Sequence, residues 1–241
     1  METKIVKSLG AMVLGLTAAT AQAIPLTDLF AGDTIQSGDK LFSAWEQVEY
    51  LAPESGNPID LSTIEVTALA DDGSNNPGLR FDFAQPLTVS DLADETSLWF
   101  SYAVDVLDPS QQLIGTTLEL TGFRAENDGG LADGFVEITG HEAGFDELNP
   151  DLEVYSDILE PIFFDEELFA EYAFGPTDST VMDMLLIAVS FDGIFEISSF
   201  EQRFNQRVAD PGIPAPATLA LLLLGLAGIG IQNRRKPAAS H

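Results

Sequence analysis

A chain of 241 residues with a formal net charge of −29 and no cysteine excludes disulfide stapling, a Cys-His catalytic pair and any cysteine-held metal. Its hydrophobic share of 45%, with sixteen phenylalanines, excludes an acidic disordered tail and calls for a packed core. The excess of 39 acidic over ten basic residues excludes nucleic acid and anionic lipid surfaces as partners of the exported part.

At the N-terminus, Lys4 and Lys7, an apolar stretch from Leu9 to Ala18 and the small residues ending at Ala21 and Ala23 have the charged, apolar and cleavage regions of a secretory signal peptide. The apolar stretch is shorter than the roughly 20 residues a spanning helix needs. Residues 1–23 are therefore expected to be removed on export by the Sec machinery. Residues 24–207 follow as one exported domain, with no repeat and no long Gly/Ser linker to divide it. Five of the cations lie in the two chain ends. The region from Ile24 to Gly212 keeps Lys40, Arg80, Arg124, Arg203 and Arg207 against 38 carboxylates.

Within the domain, Leu26 to Ala31 suits one or two helical turns, with Thr27 as a cap. Beyond it the dominant period is two. Lys40 to Ala44 reads as a strand; Ile64, Val66 and Ala68 alternate with Glu65 and Thr67; Leu79, Phe81 and Phe83 enclose Arg80 and Asp82. Leu98, Phe100, Tyr102, Val104 and Val106 form one face of a strand whose other face carries Trp99, Ser101, Ala103 and Asp105. Leu118 and Leu120 flank Glu119, and Val136 and Ile138 flank Glu137. The segment from Asp165 to Tyr172 fits either a short amphipathic helix or a loop packed on a sheet. Leu185, Ile187, Val189 and Phe191 lead into Asp192-Gly193, after which Ile194 to Ile197 resumes an extended pattern, the turn chemistry of a tight hairpin. Half-buried strands punctuated by frequent turns predict an all-β fold, an antiparallel β-sandwich or jelly-roll-like domain, followed by a short C-terminal apolar helix.

Few residues in the domain offer chemistry. His141 is its only histidine and reads as a loop residue. There is no Gly-x-Ser-x-Gly elbow and no phosphate-cradling glycine loop followed by lysine. No cofactor is required by the sequence. Weak calcium binding has candidate oxygen ligands in Asp71 and Asn75 of one polar turn and in Asp128 and Asp133 of another, neither with EF-hand spacing. Trp45, Tyr50, Trp99 and Tyr155 are candidate sugar-stacking aromatics, Trp99 by virtue of opposing the more apolar face of its strand. A carboxylate pair can hydrolyse glycosides, but the sequence selects no pair among so many.

At the C-terminus, Val208 to Ile213 forms a spacer. Pro214-Ala215-Pro216-Ala217-Thr218 then leads into the apolar run Leu219–Ile231, and Arg234-Arg235-Lys236 follow before the tail at 237–241. The basic cluster orients the segment with that end in the cytoplasm. In order and position, residues 214–236 resemble the PEP-CTERM sorting signal of Gram-negative bacteria, with Ala215 where the motif usually has glutamate. The resemblance covers about the last 25 residues. It implies processing by exosortase, transient residence in the inner membrane through the C-terminal helix, and delivery to the cell surface or to the exopolysaccharide matrix of a biofilm. Sequence and resemblance together lead to a non-enzymatic surface or matrix protein with a structural, adhesive or exopolysaccharide-associated role. The alternative is a secreted glycosidase or lyase.

Overall fold

The protein was analysed as a computed structural model, which describes residues 23–54, 58–90, 94–126, 133–142, 151–159 and 163–209. Two stacked antiparallel sheets make a β-sandwich. The elements run β1 (Ile24–Pro25), α1 (Leu26–Phe30), β2 (Ile35–Ser37), β3 (Lys40–Leu51), β4 (Ile64–Leu69), β5 (Gly78–Val89), β6 (Asp94–Val106) and β7 (Gln111–Glu126). They continue with β8 (Asp133–Glu142), β9 (Leu152–Leu159), β10 (Phe163–Glu167), β11 (Phe169–Thr177), β12 (Ser179–Asp192) and β13 (Ile194–Val208). One sheet has six strands in the order β1-β4-β5-β13-β7-β11, the other seven in the order β10-β9-β8-β12-β6-β3-β2.

The alternation expected of the strands is what the two inner faces bury. Leu98, Phe100, Tyr102 and Val104 of β6 face Leu79, Phe81 and Phe83 of β5 and Phe200 and Phe204 of β13 across a continuous core. The rings pack tightly: Phe81 stacks on Phe200 at 4.3 Å and Trp45 on Tyr102 at 4.5 Å between centroids. Each such side chain contributes about 1.5–3 kcal/mol by burial. One polar thread also crosses the core. The Tyr102 hydroxyl donates to Gln202 Oε1, Gln202 Nε2 donates to Thr116 Oγ1 at 3.3 Å, and Thr116 Oγ1 donates to the Arg203 carbonyl at 2.9 Å.

Several expectations are corrected. Asp192-Gly193 is not a hairpin turn, because β12 belongs to the seven-stranded sheet and β13 to the six-stranded one. Gly193, at φ 107°, turns the chain from one layer to the other, and the Ser190 hydroxyl donates to its carbonyl at 3.0 Å. A hairpin and an inter-sheet corner both need a residue tolerant of positive φ between two alternating runs. The phase of β12 also differs: Met182, Met184, Leu186 and Ala188 enter the core, while Leu185, Ile187 and Val189 lie on the outer face.

The segment from Asp165 to Tyr172 is neither helix nor loop. It forms edge strands β10 and β11 of opposite sheets, with the crossing at Leu168. Helix α1 starts at Pro25 with no side-chain cap, so Thr27 does not cap it; buried Leu26 and Leu29 hold it in place. Strand β13 runs through Val208, one residue into the expected spacer. The rest of that spacer beyond Ala209, the sorting motif, the apolar run and the basic cluster lie outside the described residues, as does Ala21. Among the described residues no helix is long and apolar enough to cross a membrane.

Replacing Tyr102 by Phe leaves buried Gln202 without its donor and should cost about 1–3 kcal/mol. Urea denaturation measures this; unchanged stability would show that the polar thread adds nothing to the sandwich.

Candidate functional site

The outward residues of the seven-stranded sheet are fixed by strand register. One row across it reads Tyr155, Glu137, Ile187, Ser97 and Leu51, from β9 through β8, β12 and β6 to β3. The row beside it reads Glu153, Thr139, Leu185, Trp99 and Glu49, and the row on the other side reads Asp157, Phe135, Val189 and Glu95. Neighbours along a row are about 5 Å apart and successive rows about 7 Å. The result is an apolar floor of Trp99, Leu185, Ile187 and Phe135 with carboxylates set around and into it.

Two adjoining basins lie on this floor. The first, of about 490 Å3, is lined by Glu49, Leu51, Glu95, Ser97, Trp99, Glu137, Thr139, Leu185 and Ile187. The second, of about 380 Å3, is lined by Phe135, Glu137, Glu153, Tyr155, Asp157 and Asp165. Glu137 belongs to both. Each volume falls in the range of small-molecule sites. Thr139, a residue of the first basin's lining, is only 5% exposed, and its buried hydroxyl has no hydrogen-bond partner. A buried hydroxyl without a partner costs free energy that a bound polar group can return.

The electrostatics follow from burial and from like charge. Burial, then nearby Glu153, pushes the Glu137 carboxyl above the usual range. Asp157 is raised by burial and by Asp133 and Asp165. Tyr155 donates its hydroxyl to Asp165 at 3.0 Å, a hydrogen bond that raises the phenol. At the far end of the sheet, burial raises Asp183 while His141, opposite it in register, pulls it down. His141 is thus not a loop residue: it sits in β8, 2% exposed.

No lysine or arginine reaches this face among the described residues. Lys40 points into the sandwich, paired with Asp39 at 2.6 Å, and its pKa is lowered chiefly by burial. Arg80, Arg124 and Arg203 lie on the outer face of the six-stranded sheet, where Arg80 pairs with Asp82 and Glu201, Arg203 with Glu201, and Arg124 with Glu196. Arg207 lies near the end of β13 of that same sheet.

Of the candidate aromatics, Trp99 faces outward into the first basin and Tyr155 lines the second. Trp45 does not face a ligand. It is 6% exposed in the core, turned inward by a bulge at Ala44, whose φ is 51°. Tyr50 sits at a separate pocket of about 190 Å3 at one end of the sandwich, where its hydroxyl oxygen accepts the Ile59 N–H at 2.6 Å.

The calcium candidates are not brought together. Asp71 Oδ1 accepts the N–H groups of Gly73 and Asn76, and Asn75 Oδ1 accepts from Gln206 Nε2 of β13, so these oxygens are already engaged within the protein. Asp133 opens β8 on another strand pair, and Asp128 lies outside the described residues. Among the described residues no cluster of His, Asp or Glu could hold a metal ion.

Nothing in the sequence gives Glu137, Thr139, Leu185 or Ile187 a binding role, although three of them fall in its strand patterns. The available signal was the run from Met184 to Val189, apolar on both strand faces although only one faces the core.

Because the folded-state pKa of Glu137 lies above the unfolded one, its ionised form costs stability above the folded pKa. The cost fades as pH falls through that pKa and ends below the ordinary glutamate value of about 4.3. Glu137→Gln should therefore raise the melting temperature at neutral pH and match the original protein near about pH 3. A lowered melting temperature at neutral pH would contradict this.

No protein-family model matches the chain, and no curated protein matches its sequence.

Proposed function

We propose that the chain is an exported, non-enzymatic protein of the cell surface or extracellular matrix that binds exopolysaccharide on the outer face of its seven-stranded sheet. The observation that carries this reading is the pair of basins around Trp99 and Glu137. A flat apolar floor with an outward indole suits the apolar side of a sugar ring, and surrounding carboxylates accept hydrogen bonds from its hydroxyls. The placement on strands rather than loops favours a long, regular ligand over a small one. Export rests on the signal-peptide pattern at 1–23. Sorting by exosortase, with brief passage of the C-terminal helix through the inner membrane, rests on the likeness of residues 214–236 to a PEP-CTERM signal.

A second reading, glycoside hydrolysis, is favoured by one observation: Glu137, a carboxyl that burial keeps protonated to higher pH, lies near Glu153. Release of new reducing ends from the polysaccharide separates it from binding alone.

Trp99→Ala should weaken binding to exopolysaccharide purified from the producing cells about tenfold, a loss of about 1.4 kcal/mol. Arg124→Gln on the opposite sheet should leave it unchanged. Equal affinity in all three proteins, or no binding by any, would refute the assignment of this face. For the sorting signal, intact mass of the surface-recovered protein should lack Leu219–Ile231; its retention would refute exosortase processing.

A further inference from the structure

We propose that the face takes a polymer of amino sugars with free amines, a deacetylated hexosamine chain, seated with a ring on Trp99 and its ammonium groups against Glu137 and the neighbouring carboxylates. This rests on the carbohydrate-binding reading above and adds the charge of the ligand.

Charge complementarity is the first support. The described arginines of the domain sit on the six-stranded sheet, three of them paired with carboxylates there, and the lysine is buried beside Asp39. Glu49, Glu95, Glu137, Glu153, Asp157 and Asp165 line the basins of the other sheet with no lysine or arginine among them. Glu137 is held between Ile187 and Tyr155 in its row, so it pays for ionisation in an apolar setting with other carboxylates nearby. An ammonium group placed there reverses that penalty. An acidic polysaccharide would add to it, and a neutral one would leave it in place.

Thr139 supplies a second, independent support. Its side chain lines the first basin, in the row of Trp99 with Leu185 between them, and its buried hydroxyl has no partner, so it has a hydrogen bond to offer a polar ligand. The indole face attracts cations as well as apolar rings, so one aromatic serves both properties of an amino sugar.

A basic peptide would supply the charge but fits the surface less well. The strands beneath the centre of the basins, β8, β12 and β6, each have a hydrogen-bonded neighbour on both sides, so a peptide backbone finds a free ladder only at the rims, along β10 and the Glu49–Leu51 end of β3, away from Trp99 and Glu137 in the middle of the floor. A saccharide brings no backbone amides that need pairing.

The test titrates the full chain with a glucosamine hexamer, an N-acetylglucosamine hexamer and hexalysine, at a pH where the sugar amines are protonated. The glucosamine hexamer should bind at least tenfold tighter than either of the others, and Glu137→Gln should remove most of that advantage while the variant melts no lower than the original protein. Preference for the acetylated hexamer would overturn the inference and leave carbohydrate binding standing. Equal binding of hexalysine would reduce the effect to bulk charge and overturn it. An unaltered preference in Glu137→Gln, or no binding of the glucosamine hexamer, would also overturn it; failure of the carbohydrate reading itself is read separately, from the native exopolysaccharide.

Discussion

Five cations for 38 carboxylates between Ile24 and Gly212 cannot balance charge over the whole surface, and the sandwich places its four arginines on one sheet and buries Lys40 beside Asp39. The arginines of β5, β7 and β13 sit opposite Asp82, Glu196 and Glu201 on the six-stranded sheet, at distances of 2.9 to 3.6 Å. Exposed pairs of this kind contribute little each, commonly under about 1 kcal/mol. Their consequence is spatial: with these cations committed there, the seven-stranded sheet is left with acid on an apolar floor. Two carboxylates one row apart, about 7–8 Å, repel by of order 1 kcal/mol in a partly screened setting.

That penalty is sustainable because the core is large and continuous. Without disulfides, the aromatic layer of Phe81, Phe100, Tyr102, Phe200 and Phe204 carries the cohesion, with the Tyr102–Gln202–Thr116 thread joining β6 of one sheet to β13 and β7 of the other. The same strands serve both purposes. Residues 98, 100 and 102 of β6 fill the core, and Trp99 between them faces the basin, so a rigid interior positions the outer face directly. Stability given up in the acid on one side is offset by burial on the other.

Much of this was legible wherever a strand has one apolar and one polar face. β4, β5 and β6 follow their sequence alternation, and Trp99 was placed outward for that reason. The pattern failed where a strand is apolar on both faces, as in β12. Alternation there cannot tell Leu185 from Leu186, and only the register with β6 and β8 does. It failed again where one backbone angle redirects a side chain: nothing about Ala44 announces the bulge that buries Trp45. The edge strands β10 and β11 mix Phe with Asp and Glu, and that mixture resembles a helix or a loop. Glu137 was beyond sequence reasoning altogether. It is one carboxylate among 38 until pairing sets it beside Tyr155 and Ile187.

The central claim is that the outer face of the seven-stranded sheet, and not the arginine-bearing one, is the binding surface. Backbone NMR of the protein titrated with fragments of its own exopolysaccharide tests it most directly. The account predicts shift changes clustered at Trp99, Thr139, Glu137 and Ile187. Changes clustered at Arg80, Arg124 and Arg203, or spread evenly over both sheets, would contradict it.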